Sequence, residues 1–166
     1  MFRVGDRVVY GIHGVCQIIA LEERTVDRKK IKYFALEPLG QPGARYYVPS
    51  ENPAALAKLR HLISREDLEV LLSSDEIRQN CWISDENQRK QRYRELINSS
   101  DRVALLRMIN SLHQHKKEQA AAGRKFHLCD DNFLRDAEKL LNAEFSLVLN
   151  IQPSEVAEYI LAALDK

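Results

Sequence analysis

The chain has 166 residues, 45% of them hydrophobic and 30% charged, with a formal net charge of +1. That balance supports a packed core under a polar surface, in one domain or two small ones. No apolar run approaches the roughly 20 residues that span a bilayer, and the opening Met-Phe-Arg-Val-Gly-Asp lacks a signal-peptide core. Cys16, Cys81 and Cys129 are odd in number and far apart, which fits reduced thiols better than a disulfide framework. A cytoplasmic globular protein is expected.

The near-neutral total hides a segregation of charge. Residues 89–125 hold 10 Lys and Arg against 3 Asp and Glu, a net of +7. Residues 51–88 hold 4 against 8, residues 126–166 hold 3 against 8, and residues 1–50 hold 8 against 5. A cationic centre between acidic flanks makes an anion-binding surface where the fold gathers the charges on one side. Helices that scatter them around their circumference make none.

The first fifty residues read as strands. Arg7-Val8-Val9-Tyr10 is a short β-rich run, and Gly11 and Gly14 bracket Ile12-His13 where the chain turns back. Val15 to Leu21 is the return strand. Thr25-Val26 and Ile31 to Leu36 flank a polar hairpin tip, Asp27-Arg28-Lys29-Lys30. Pro38 to Gly43 is a breaker-rich loop. Arg45-Tyr46-Tyr47-Val48 is a last strand, closed by Pro49. Short strands with no helical period predict a small, strongly bent sheet or SH3-like barrel.

Beyond Ser50 the period turns helical. Asn52-Pro53 starts a helix carrying Leu56 and Leu59. Ser64, followed by Glu66 and Asp67, is an N-cap with acids in the first turn, leading into Leu68, Leu71 and Leu72. From Glu86 to Ile97 a helix places Tyr93, Leu96 and Ile97 on one face, with Lys90 and Arg94 on one flank and Arg92 on the other. Ser99-Ser100-Asp101 caps a helix through Val103, Leu106, Ile109 and Leu112 to Lys117. Glu118 to Lys125 either continues that helix or breaks at Gly123. Asp130-Asp131 caps a helix through Phe133, Ala137, Leu140, Leu141 and Val148. Gln152-Pro153-Ser154 starts a final one with Val156, Tyr159, Ile160 and Leu164. The expected class is α+β, with a β-module at 1–55 and an all-helical domain at 56–166.

The stretch with the strongest chemical signal runs from Asn80 to Ile97. It holds the single tryptophan, Trp82, and the cations Arg89, Lys90, Arg92 and Arg94. An indole beside a cationic helix suits a surface that grips a phosphate backbone and presses an apolar wedge against a base step. A large aromatic also usually lies mostly buried as part of a core, and both readings of Trp82 stay open at this stage.

Sites for catalysis are thin. No Walker or Rossmann phosphate loop is present. His113-x-His115 and His127-x-Cys129-Asp130 have ligand-type residues, but helical positions two apart point about 200° from each other, so the two histidines make poor joint ligands. His13 and Cys16 share a hairpin without an orienting acid. No enzyme activity, cofactor or metal is expected.

The β-module opens with Val4-Gly5-Asp6-x-Val8-Val9-Tyr10-x-x-His13-Gly14-Val15 and closes with Tyr46-Tyr47-Val48-Pro49-x-Glu51-Asn52. A helical region carrying Trp82 and Arg92-Tyr93 follows. Together these resemble the CarD/CdnL family of bacterial transcription regulators, whose N-terminal module is similar to the RNA-polymerase-interacting domain of transcription-repair coupling factor. The resemblance implies a Tudor-like module that binds the polymerase β subunit. It also implies a helical domain that contacts promoter DNA near the −10 element, its tryptophan wedged in the minor groove to stabilise the open complex. The implied polymerase-facing residues are Arg24, Tyr46, Tyr47 and Pro49. The implied DNA-binding residues are Trp82, Arg89, Lys90, Arg92, Arg94, Lys116, Lys117, Arg124 and Lys125. Tyr47 stands where some members have arginine, and the spacer from Ile83 to Gln91 is longer than in others. The competing expectation is a protein–protein adaptor that binds polymerase through the β-module without touching DNA. A monomer with no membrane contact is expected.

Overall fold

The computed structural model describes residues 1–165 and divides the chain into two compact units, Met1–Leu62 and the helical remainder from Ile63. The N-terminal unit is a five-stranded antiparallel sheet. Its strands are β1 (Arg7–Tyr10), β2 (Val15–Val26), β3 (Lys29–Pro38), β4 (Tyr46–Pro49) and β5 (Leu59–His61), in the order β4-β3-β2-β1-β5. Val8, Cys16, Ile18, Phe34, Leu36, Val48 and Leu59 form one buried cluster drawn from all five strands. The two outermost strands reach the same core only if the sheet curls strongly on itself. A register shift between Ile18 and Ala20 marks a bulge that adds to the bend.

Two features of this unit depart from the sequence reading. β2 runs unbroken through Glu22-Glu23-Arg24, because those residues pair across the hairpin with Tyr33, Lys32 and Ile31. The helix at Pro53 is one turn, α1 (Pro53–Leu56), capped by Asn52, whose side chain accepts from the amides of Ala54 and Ala55. Leu59 then returns to the sheet, since the free edge of β1 pairs Val8, Val9 and Tyr10 with His61, Arg60 and Leu59. The fifth strand therefore lies after the first helix.

Burial pushes the Cys16 thiol up from its ordinary 9.0 to about 11. Below pH 9 the folded and unfolded chains both hold this proton. As pH rises from there towards about 11, the unfolded chain releases it first, so stability falls. The melting temperature of the wild type should drop more steeply above that pH than that of Cys16→Ala. In native protein an alkylating reagent should label exposed Cys81 and spare Cys16 until denaturant is added.

The helical unit comprises α2 (Arg65–Ser73), a 3-10 turn (Asp75–Arg78), α3 (Glu86–Ser99), α4 (Arg102–Ala121), α5 (Leu128–Leu149) and α6 (Pro153–Leu164). α4 is its central element: Leu105, Leu106, Met108, Ile109 and Leu112 are buried against Ile77, Tyr93, Leu141 and Phe145. Each such side chain contributes roughly 1.5–3 kcal/mol by leaving water. Ser64 and Asp101 cap their helices through hydrogen bonds to Asp67 and Ala104 amides, and Gln152 with Glu155 completes a capping box. Asp130 and Asp131 do not cap α5: the N-cap is His127, and both acids lie within the first turn. Among the described residues no helix is long and apolar enough to cross a membrane.

Candidate functional site

Trp82 sits on the loop between the 3-10 turn and α3, and a polar stripe of α4 fixes that loop from behind. The Asn110 side-chain amide donates to the Arg78 carbonyl, the Cys81 amide donates to Ser111 Oγ at 2.7 Å, and the Asn80 side chain donates to Gln114. Asn80 also accepts from the Trp82 amide, closing a local turn. Positions 110, 111 and 114 share one helical face, which explains two buried polar residues, Asn110 and Ser111, in the middle of an apolar helix.

The indole is half-buried. The His115 imidazole stacks on it at 3.7 Å between centroids and 13° between planes, and the Arg89 guanidinium carbon lies 4.3 Å from the ring centroid. Arg89 is 4% exposed, and its Nε and Nη2 donate to the two carboxylate oxygens of Asp130, itself 0% exposed, at 2.9 and 3.1 Å. Its Nη1 donates to the carbonyls of Ile83 and Ser84, two residues of the Trp82 loop. Arg89 is thus withdrawn from the DNA-facing set: it is an internal brace, with no face left for a phosphate. Beside it burial raises the Tyr93 hydroxyl above its ordinary range, a rise that the Arg89 charge opposes.

The remaining cations divide by partner. Lys90 pairs with Glu86, and this hydrogen bond and charge hold the Glu86 carboxyl below its ordinary range. Arg92 pairs with Glu95, Lys116 with Asp131 and Lys117 with Asp165, all at the surface. Such exposed pairs are worth at most about 1 kcal/mol and yield readily to a stronger anion. Among the described residues Arg94, Arg124 and Lys125 are exposed and have no acidic partner.

Arg124 and Lys125 owe their placement to Gly123. At φ +70 it ends α4 in a left-handed turn, where the Gly123 amide donates to Ala120 and the Arg124 amide donates to Gln119. The reversal brings Phe126 beside α4, 6.3 Å from His115 and 5.6 Å from Lys116 Nζ. Trp82, His115, Phe126 and Lys116 therefore form one neighbourhood, with Arg124 and Lys125 directly preceding Phe126 in the chain, although 44 positions separate Trp82 from Phe126. His113 turns away to Glu138 at 2.9 Å, so the two histidines serve separate contacts. Among the described residues no group of His, Cys, Asp and Glu is arranged to hold a metal.

In the N-terminal unit, Tyr47 and Tyr46 project from the outer strand β4 in alternate directions. The Arg24 guanidinium lies 3.9 Å over the Tyr47 ring and also pairs with Glu22 at 3.2 Å. Tyr46 packs instead with Tyr10 and His13, at 5.7 and 4.4 Å between centroids. Pro49, half-buried, ends the strand. Among the described residues β4 pairs with β3 alone and is an edge strand of the sheet, the kind of edge that can template a further strand.

A curled sheet with an aromatic edge strand, followed by a separate helical unit, makes this a two-part α+β protein. Residues 2–63 match the family model of the CarD-like/TRCF RID domain. The match falls on the N-terminal unit, which is similar to a CarD-like RNA polymerase-interacting domain.

Proposed function

We propose that this chain is a non-enzymatic transcription regulator that bridges RNA polymerase and promoter DNA and stabilises the open complex. The family match over residues 2–63 carries the reading. The N-terminal unit binds the polymerase β subunit through the β4 edge, where a partner strand can add, and through the Arg24–Tyr47 stack beside it. The helical unit contacts DNA near the −10 element, with Arg94, Arg124 and Lys125 as its available cations and Lys90, Arg92, Lys116 and Lys117 in support. Salt-sensitive backbone contact is the expected mode. Trp82, preset by its loop, meets the base step at the edge of the melted region, where unstacking costs a few kcal/mol.

One observation favours a competing reading. Trp82 is already stacked on His115, as in an adaptor whose helical unit recruits another protein. Open-complex lifetime with purified polymerase separates the two. The wild type should lengthen it. Arg124→Gln/Lys125→Gln should lose that effect and keep polymerase binding, whereas Arg24→Ala/Tyr47→Ala should weaken polymerase binding roughly tenfold. An unchanged lifetime despite polymerase binding would leave the adaptor.

A further inference from the structure

The β2–β3 hairpin runs out beyond the core of the N-terminal unit. From Leu21 through Tyr33 no residue is buried, so this length of ribbon adds nothing to the core, although Arg24 rests on Tyr47 at its base. Its end carries Arg28, Lys29, Lys30 and Lys32, with no acid between them, and all four are exposed. Among the described residues none of the four lies in an ion pair, although Glu23 stands directly across the ribbon from Lys32.

The turn has a second peculiarity. Asp27 and Arg28 both lie in the left-handed region, at φ 50 and 65. A two-residue hairpin of this kind prefers Asn-Gly or Asp-Gly, because glycine adopts that conformation without penalty. Here an arginine occupies the glycine position. Strain held at an exposed tip, where no packing demands the side chain, points to a use for that side chain.

We propose that the tip of the β2–β3 arm, through Arg28, Lys29, Lys30 and Lys32, is a phosphate-backbone contact by which the N-terminal unit grips nucleic acid. Lys30 and Lys32 are two residues apart on one strand, so they share a side of the ribbon at about 7 Å spacing. Lys29 projects to the other side and Arg28 sits at the end. A regular row of like charges matches a regular row of opposite charges, which a phosphate backbone supplies. A protein partner fits less well. Protein interfaces are depleted in lysine and rely on an apolar or aromatic centre, and the only apolar residue between Arg28 and Tyr33 is Ile31. A two-stranded ribbon also fits the width of a duplex groove. The contact carries no base reading, because point charges on phosphates position without specifying. It does not depend on the proposed role of the helical unit.

The test is fluorescence anisotropy of the full chain with a labelled duplex of arbitrary sequence, titrated at a series of salt concentrations. Two variants are compared with the wild type: Arg28→Gly, and a quadruple change of Arg28, Lys29, Lys30 and Lys32 to glutamine. The quadruple variant should lower the slope of log affinity against log salt by roughly 3–4, since each phosphate left without its cation removes about 0.9. Arg28→Gly should lower it by about 1 with an unchanged or higher melting temperature, which separates weaker binding from failed folding. The same decrements should persist in an Arg124→Gln/Lys125→Gln background, so that the arm's effect stands whether or not the helical unit binds DNA. Equal slopes in the wild type and a folded quadruple variant would overturn the proposal, as would a wild type with no salt-dependent duplex binding. An unchanged slope together with impaired polymerase binding would instead assign the arm to an acidic protein surface.

Discussion

Arg89→Ala should destabilise the helical unit by about 3–5 kcal/mol, because it leaves the Asp130 carboxylate buried without its partner. Asp130→Ala should cost a similar amount by stranding the guanidinium. Both groups are almost fully enclosed, their contact is bidentate, and Arg89 also holds the carbonyls of Ile83 and Ser84. Each of those two carbonyls would lose about 1 kcal/mol of hydrogen bonding. Replacing both charges together, as Arg89→Met/Asp130→Leu, should recover most of the loss, since desolvating an ion pair roughly cancels its attraction. Urea unfolding followed by the emission of the single tryptophan measures this directly, because the Trp82 ring rests against Arg89. A cost below about 1 kcal/mol for Arg89→Ala would show that the brace carries little of the fold.

The same pair changes how functional variants are to be read. Under the proposed function, loss of DNA-dependent activity in an Arg89 variant would report a collapsed Trp82 seat, whereas loss in Arg94, Arg124 or Lys125 variants would report missing phosphate contacts. The surface cations can be removed at little cost in stability because no acid opposes them.

Elements with a local chemical signature were readable from the sequence. Asn52-Pro53, Ser64, Asp101 and Gln152-Pro153 each begin a helix where their capping chemistry places it. Gly11 and Gly14 frame the first turn at positive φ. β5 was not readable, because three residues, Leu59-Arg60-His61, carry no period and become a strand only through the free edge of β1. The position of Arg89 did leave a signal. It stands four residues before Tyr93 and seven before Leu96, so a helical wheel places it on the inward face. What no local pattern shows is its partner, 41 positions away. His115 was missed for a similar reason: weighed as a metal ligand beside His113, it finds its role against Trp82, 33 positions earlier. Side chains that meet across long stretches of chain form the centre of this site, and only the fold brings them together.

Glu144→Ala should cost the helical unit about 2–4 kcal/mol, by the same logic of a buried charge with several dependants. Glu144 is 1% exposed on α5. Its Oε1 accepts from Arg102 Nε at 2.8 Å, and its Oε2 accepts from the Ile63 amide at 2.8 Å. One carboxylate therefore ties three segments: the first residue of the helical unit, the first turn of α4 and the C-terminal part of α5. Glu144→Gln should recover little, because its amide nitrogen can only donate, and the groups facing it are donors. Amide hydrogen exchange supplies the second readout. The Ile63 amide should lose protection in both variants, while amides near the middle of α6 should change only with global stability. Retained protection at Ile63 in a folded Glu144→Gln protein would show that the glutamine oxygen suffices, leaving Arg102 as a bystander.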